Sequence, residues 1–414
     1  MKRCICLLTL FTMSPSFAGD LKAPVGLPSA KVLPKGVRNL TYKNVAADAE
    51  NKYNSSGESL VIADPFFKEI TFKDAIRGKI DPVDQGAFEQ AMLSIGATET
   101  DSFGQTTGQV NIKANVHVPI FAWGVTKRLT LAAAFPIIQS STNVDTGVVH
   151  SNPSLHQQMK AALEAKGVSS KVAEFDNKMN DPIRAKLEEY NYEPLKNEST
   201  TKMGDIKLIA KFMGHEDDYN RIVLSTDVTL PTGKDQDVNK VVDVASGDDQ
   251  WDIGAGIGYD RVLNEDFTWA NELSYVVQLP DQNPERIPLF DDSKVTPDID
   301  YNTQRDLGDI AIATTSLKFR KFGWSLGSGY SFQYKGADRY SGTAYSSERY
   351  KYLEQDTRQN MHSAIISGGF DTLDLFRSKR FPVPIILSIT HTWVLSGKNV
   401  INDPLTTLDF SMFF

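Results

Sequence analysis

His362 and Ser363 adjoin in the chain and bring together the residue types of a base and a nucleophile. Hydrolysis by an activated serine needs both in reach of each other, with a third group to orient the base. Neighbours on a strand point to opposite faces, so this pair cannot serve one site if the segment is extended. His391 falls near the rim of a similar stretch, where a lipase-type site opening sideways would sit, but no serine or asparagine partner accompanies it. His117 lies beside Asn111, Lys113 and Asn115 at alternate positions. Those four suit the polar lining of a passage better than a catalytic set. No catalytic residue, cofactor or metal is expected.

Two further patterns fail on inspection. Asp235, Asp237 and Asn239 resemble the opening of a calcium loop, but Lys240 stands where the sharp turn needs glycine and Ser246 where the loop needs its last glutamate. The acidic runs 235–249 and 291–300 therefore read as solvated loops, with weak divalent-ion bridging to lipopolysaccharide as the alternative. Gly254, Gly256 and Gly258 look like a phosphate cradle, but no helix follows them. They sit on one face of an alternating strand, where small residues leave interior space or admit a plug.

The elements that carry these residues are set by a period of two. From Val110 the even positions read Val110, Ile112, Ala114, Val116 and Val118, and the odd ones Gln109, Asn111, Lys113, Asn115 and His117. Trp251, Ile253, Ala255, Ile257 and Tyr259 alternate with Asp252, the three glycines and Asp260. Comparable stretches recur near 109–122, 127–140, 205–214, 219–231, 250–262, 266–279, 307–320, 322–334, 359–372, 381–396 and 404–414. Most exceed the roughly 5–6 residues of an ordinary strand and match the about 9–11 that cross a bilayer obliquely. Mean hydropathy is −0.30 and no apolar run approaches a spanning helix; Leu131–Ile138 is among the longest. Strands that face lipid on one side only give such an average. With 44 Lys and Arg against 52 Asp and Glu, the chain is acidic, which excludes a phosphate-neutralising nucleic-acid binder.

Connection lengths also alternate. Short ones follow Ala122, Gly214, Leu263 and Phe319, and long ones cover about 141–204, 232–249, 280–306 and 335–358. Short turns on one side and long loops on the other characterise outer-membrane barrels. With the C-terminus in the periplasm, Trp123, Trp269 and Trp324 fall at periplasmic strand ends and Trp251 and Trp393 at outer ends, as a membrane-interface girdle requires. Leu408, Phe410, Met412 and Phe414 alternate at the C-terminus, an ending of the kind read by the outer-membrane barrel-assembly machinery.

The first 18 residues read as a signal peptide: Lys2 and Arg3, the apolar Cys4–Phe11, then Ser16-Phe17-Ala18. Its removal takes both cysteines, Cys4 and Cys6, and leaves no thiol chemistry. Residues 19–108 then hold an irregular leader with Pro24, Pro28 and Pro34, a first strand near 36–45, and a long outer loop with a helix. The leader can hang in the periplasm or enter the lumen. Residues 109–414 form the main barrel. The first strand brings the total to twelve; Leu60–Ala63 and Ile70–Phe72 would make it fourteen.

Helix starts appear inside the outer loops. Asp81-Pro82, Asn152-Pro153 and Asp181-Pro182 each place a capping side chain before a proline at the first helical position. Leu155, Met159 and Leu163 share one helical face, as do Ile183, Leu187 and Tyr190, with Phe175 and Met179 between. Their apolar faces either pack together as a cap or leave a groove in which a hydrophobic solute first docks.

Gly204-Asp205-Ile206, Thr229-Leu230-Pro231-Thr232-Gly233-Lys234 and Gln250-Trp251-Asp252-Ile253-Gly254-Ala255-Gly256 resemble an outer-membrane family named for the phenol meta-degradation pathway and related to FadL/TodX-type channels. The resemblance is best over 109–280. It implies a barrel that helps small hydrophobic or aromatic molecules cross the outer membrane. No catalytic or binding residue of that family maps onto this chain.

The sequence therefore predicts an all-β fold, an antiparallel transmembrane barrel of about twelve strands with helical extracellular loops. The expected activity is passive uptake of a small hydrophobic solute, with outer-membrane lipid and lipopolysaccharide as surroundings. A non-transporting surface barrel or adhesin is the second reading, and a lipase-type enzyme the third.

Overall fold

The computed structural model describes residues 20–73, 82–149, 152–166, 181–291 and 295–414. The expected signal peptide and the capping Asp81 lie outside these residues, as do Phe175 and Met179.

Every alternating segment forms a strand, and the strands close into one antiparallel barrel. In chain order they are β1 (Arg38–Ala49), β2 (Ser102–Gly124), β3 (Leu129–Ala134), β4 (Ile137–Val149), β5 (Glu198–Met203), β6 (Ile206–Glu216), β7 (Asn220–Leu230), β8 (Asp252–Val262), β9 (Phe267–Gln278), β10 (Ile310–Lys321), β11 (Trp324–Lys335), β12 (Gln359–Asp371), β13 (Ile385–Lys398) and β14 (Leu405–Phe413). β3 with β4, and β5 with β6, each make one interrupted stave, so the wall has twelve staves. β1 closes it, pairing with β2 on one side and with β14 on the other, where Tyr42 faces Phe410.

The further pair that would make fourteen staves is spent elsewhere. Ser59–Val61 pairs with Asn51–Tyr53 in a small hairpin above the rim, and Glu69–Thr71 pairs with the upper end of β2. That upper end is why β2 runs 23 residues, well beyond the segment its alternation marked.

The interruptions have a covalent cause. Pro119 and Pro136 lack an N–H, so the ladder between β2 and its neighbour skips there. The Phe135 N–H donates to the Pro119 carbonyl (3.0 Å) and the Gly204 N–H to the Pro136 carbonyl (2.8 Å), which aligns the breaks of adjacent staves.

The long connections carry α1 (Pro82–Ser94), α2 (Pro153–Ala165) and α3 (Pro182–Glu189). Asn152 and Asp181 cap α2 and α3, accepting from the Leu155 and Arg184 N–H groups at 3.1 Å. At the opposite end, connections are short except for 372–384, which holds α4 (Leu373–Arg377). The outward face of the wall is apolar and exposed, as Leu224, Ile257, Leu273, Leu326 and Ile389 show. All five tryptophans lie on or beside that face and are exposed.

Candidate functional site

The lumen is lined with small and hydroxylated side chains. Ala270, Ser316, Ser331, Ser363, Thr390 and Thr392 all point inward and are buried. What buries them is the chain's own leader. Residues 20–34 cross the lumen from the loop end to the turn end and deliver the backbone to β1.

The wall grips the leader step by step. At the loop end Asp20 accepts from Gln359 Nε2 (2.7 Å) and pairs with Lys335 (3.4 Å), and the Leu21 N–H donates to Gln359 Oε1 (2.8 Å). Gln333 donates to the Lys22 carbonyl and Thr392 to the Pro24 carbonyl, both at 2.7 Å. Lys43 donates to the Val25 carbonyl (3.0 Å) while pairing with Asp409 (2.7 Å), and Lys318 donates to the Pro28 carbonyl. Lower down, the Ala30 N–H donates to Asp260 and the Leu33 N–H to Thr130 Oγ1 (2.7 Å). Prolines explain this mode of binding. Pro24, Pro28 and Pro34 cannot donate, so the leader cannot join the sheet as another strand, and its carbonyls are left for wall side chains.

Missing side chains on the wall make room. A Cβ on Gly329 would sit 2.8 Å from Leu27 Cδ2, one on Gly327 would collide with Leu27 Cδ1, and one on Gly258 would lie 3.6 Å from Ala30 Cβ. The inward glycines thus admit a plug, one of the two roles their spacing suggested. Apolar contacts add to the grip: Leu21 packs with Met361, Val394 and Val400, and Ala30 with Met213 and Val223.

Above the leader the mouth is capped. α3 places Leu187, with Ile183 beside it, against Val110, Ile112 and Val144 of the wall and Val241 and Val244 of a loop. A second cluster joins α1 to α2 through Phe72, Phe88, Met92, Phe103, Met159 and Leu163, with Leu155 at its edge. Of the described candidate groove residues, Leu155, Met159 and Leu163 belong to one cluster and Ile183 and Leu187 to another, so these five do not share one open groove. Met159, Leu163 and Leu187 are fully buried, and Tyr190 is half-buried under the Lys186 ammonium, 4.0 Å from its ring centre. Helical spacing marks an apolar face but not whether a neighbour covers it.

The expected lumen lining is inverted. Asn111, Lys113, Asn115 and His117 share a face with the exposed Phe121 and Trp123, and the buried Val110, Ile112, Ala114 and Val116 face inward. From Trp123 to Lys113 the strand climbs roughly 25 Å at about 3.3 Å per residue and a ~40° tilt, the height of a whole apolar belt. Asn111 and Lys113 thus stand where the outer face meets water, while Asn115 and His117 lie lower, within the belt; on the inner face Val110 and Ile112 meet the cap and are apolar. His117 shares hydrogen bonds with Tyr42 (2.6 Å), Asn44 (3.2 Å) and Gln139 (3.3 Å) on the outer face. His362 likewise bonds Tyr330 on the outside (2.6 Å), Ser363 points into the barrel, and His391 bonds Thr406 (2.9 Å). None of the three histidines meets a serine.

The acidic loops are only partly solvated: Asp249 and Asp291 are exposed, but other carboxylates are not. Asp243, Asp248 and Asp300 are buried. Arg305, 5% exposed, pairs with Asp235, Asp281 (2.7 Å) and Glu285 (3.7 Å) and donates to the Asp248 carbonyl. This hub ties loop 231–251 to the hairpin Asp281–Arg286 and Ile299–Asp306. Burial raises the carboxyls of Asp235 and Glu285, the latter to about 8, against the pull of Arg305. An arginine 57 residues beyond its acceptor leaves no local mark in the sequence.

The segments that carry the family resemblance converge here. Thr232 donates to the Gly204 carbonyl and accepts from the Ile206 N–H, both at 2.9 Å, and Asp205 accepts from the Gly233 N–H (2.7 Å). Together they fasten loop 231–251 to the break between β5 and β6. Outside, a hollow on the lipid side of β8–β11 is lined by Ile257, Leu273, Ala313, Tyr330 and Phe332.

No family model matches the chain, and no curated protein matches it. Among solved structures it is similar to the COG4313 outer membrane channel from Pseudomonas putida F1, with a TM-score of 0.50 and 12% identity over 94% of this chain and 100% of that one. The toluene transporter TodX of P. putida matches at a TM-score of 0.34 and 10% identity, covering 92% of this chain and 90% of that chain. At 12% identity the likeness to the first of these establishes the fold alone, an outer-membrane barrel.

Proposed function

We propose that the protein is a gated outer-membrane channel for passive uptake of small hydrophobic or aromatic compounds. The observation that carries this reading is the leader in the lumen, bound to wall side chains by separate hydrogen bonds at its carbonyls and N–H groups, with no ladder to the sheet. Each such bond contributes only about 0.5–1.5 kcal/mol net. A segment held this way can leave without opening the barrel ladder. Displacement would expose a passage walled by Gly, Ser and Thr, with Lys318, Lys43 and Asp260 along it. The resemblance to the phenol-pathway family and to FadL/TodX-type channels supports the substrate class, and the solved channel of similar fold supports the architecture. The non-transporting reading also has an observation behind it, since both the cap and the leader are packed.

The wider setting follows from the same reading. The five tryptophans mark the two interfaces, lipopolysaccharide surrounds the outer rim, and the C-terminal strand is what the assembly machinery engages. A leader peptide cleaved after Ala18 would deliver the chain to that machinery.

Uptake into proteoliposomes tests the proposal. Benzoate- or toluene-sized solutes should enter vesicles containing the full chain faster than empty vesicles, and faster still when residues 20–34 are deleted. Equal entry in all three supports the non-transporting barrel.

A further inference from the structure

We propose that connection 372–384, with the adjoining turn at Phe322, is a binding site for the headgroups of anionic phospholipids such as phosphatidylglycerol. It lies at the end of the barrel that carries the C-terminus: the Phe413 N–H donates to the Pro384 carbonyl at 3.0 Å. That end meets the inner, phospholipid leaflet of an outer membrane. The inference does not depend on transport.

The connection is built and held. Arg320 clamps its start, pairing with Asp371 and Asp374 at 2.9 Å each. Thr372 closes its base, donating to the Val383 carbonyl and accepting from the Ile385 N–H, both at 2.9 Å. α4 is one short helix ended by Lys379 in the left-handed region (φ 58°), whose N–H returns to the Phe376 carbonyl at 2.9 Å. Pro382 and Pro384 prevent any continuation of the helix.

What this frame projects is cationic and aromatic. Arg377, Lys379 and Arg380 are exposed, and Arg377 has only a loose contact with Asp374 (3.7 Å). Lys379 and Arg380 have no ion-pair partner among the described residues. Phe376 and Phe381 are exposed beside them, and Phe322, 88% exposed, stands on the adjoining turn, whose Gly323 carbonyl accepts from the Asp371 N–H (2.8 Å). The patch is continuous with the lipid-facing belt, since the tilted rings of Trp324 and Phe370 meet at 5.0 Å between centres immediately above it.

Two other turns at this end contrast with it, although the turn after β2 also carries the exposed Lys127 and Arg128. The turn after β6 carries Glu216, Asp217 and Asp218, and the one after β8 carries Glu265 and Asp266. Cations therefore gather on one arc and carboxylates on another. Rings at the headgroup level with unpaired cations below fit a phosphate bearing a net negative charge, and each cation near such a surface adds several-fold to affinity. An acidic protein partner would not need the rings to continue the belt.

Native mass spectrometry of the full chain in detergent, titrated with phosphatidylglycerol or phosphatidylcholine of the same acyl chains, tests this. The expected result is at least tenfold preference for phosphatidylglycerol, falling to about twofold or less in the Arg377→Gln, Lys379→Gln, Arg380→Gln variant, with phosphatidylcholine binding unchanged. Heat-modifiable migration verifies that the variant folds, and Asp217→Asn with Asp218→Asn on the other arc should leave the preference intact. No preference in the wild type, as expected if the patch serves an acidic protein, overturns the proposal. So does a preference that survives the triple change.

Discussion

The backbone N–H of Ala30 donates to Asp260 Oδ1 at 3.0 Å inside the barrel, with both residues almost wholly buried. One belongs to an irregular leader and the other to the wall strand β8, 230 residues away. That bond sets the leader's register against β8 in the half of the lumen nearer the short turns. It also gives Asp260 a donor without which its carboxylate would face buried space.

Enlarging the wall at the leader's path should expel it. Gly327→Val places methyls where Leu27 now lies, and overpacking of this kind costs about 1–3 kcal/mol. The variant should show higher single-channel conductance than wild type and faster tryptic cleavage at Lys22 or Lys31. Unchanged conductance and protection would show that Leu27 does not hold the leader.

Removing the hub cation should release the cap without opening the wall. Arg305→Met leaves Asp235, Asp281 and Glu285 facing one another, and breaking a buried ionic set by deleting one partner costs about 3–5 kcal/mol. Trypsin added to intact cells should then cut within 231–251 at a rate raised tenfold or more, while heat-modifiable migration stays the same. Protection equal to that of wild type would mean that the loop is held by its Thr232 and Asp205 contacts alone.

The same hub makes the cap sensitive to pH. The Glu285 carboxyl is pushed from 4.5 up to about 8, so the folded loop prefers the protonated acid. Stability from this group is fully present below the ordinary glutamate range and is lost as pH rises towards 8. Loop protection from protease should therefore weaken between about pH 5 and pH 8, and Glu285→Gln should flatten the profile. A profile that strengthens with pH would assign control to a different group.

Cysteine labelling checks which face of β2 is outside. A bulky polar maleimide on intact cells should modify Lys113→Cys and spare Ala114→Cys. The reverse pattern would restore the polar face to the lumen.

Much of the wall was legible in the sequence. Period two located the strands, and connection length separated the two ends. The period did not say which face is inner, because that depends on what fills the barrel at each height. At Ala255 and Ile257 the outside is lipid, so the apolar face is out; at Val110 and Ile112 the inside is a cap, so the apolar face is in. The helix starts at Asn152 and Asp181 were readable from local capping chemistry. The partners of Met159 and Leu187 were not, because those contacts come from distant segments. The proline spacing of the leader allowed either a periplasmic tail or a luminal plug. Only the wall, through Asp260, Thr392 and the inward glycines, decides between them.

A reversible lock between the leader and the wall decides whether the leader is the gate. A Cβ on Gly258 would lie 3.6 Å from that of Ala30, within the span of a disulfide. The Ala30→Cys, Gly258→Cys double variant, recorded in planar bilayers, should stay closed when oxidised and regain wild-type conductance on addition of reductant. Equal current in the oxidised and reduced states would show that solutes pass, or fail to pass, without any movement of the leader, and would contradict the account.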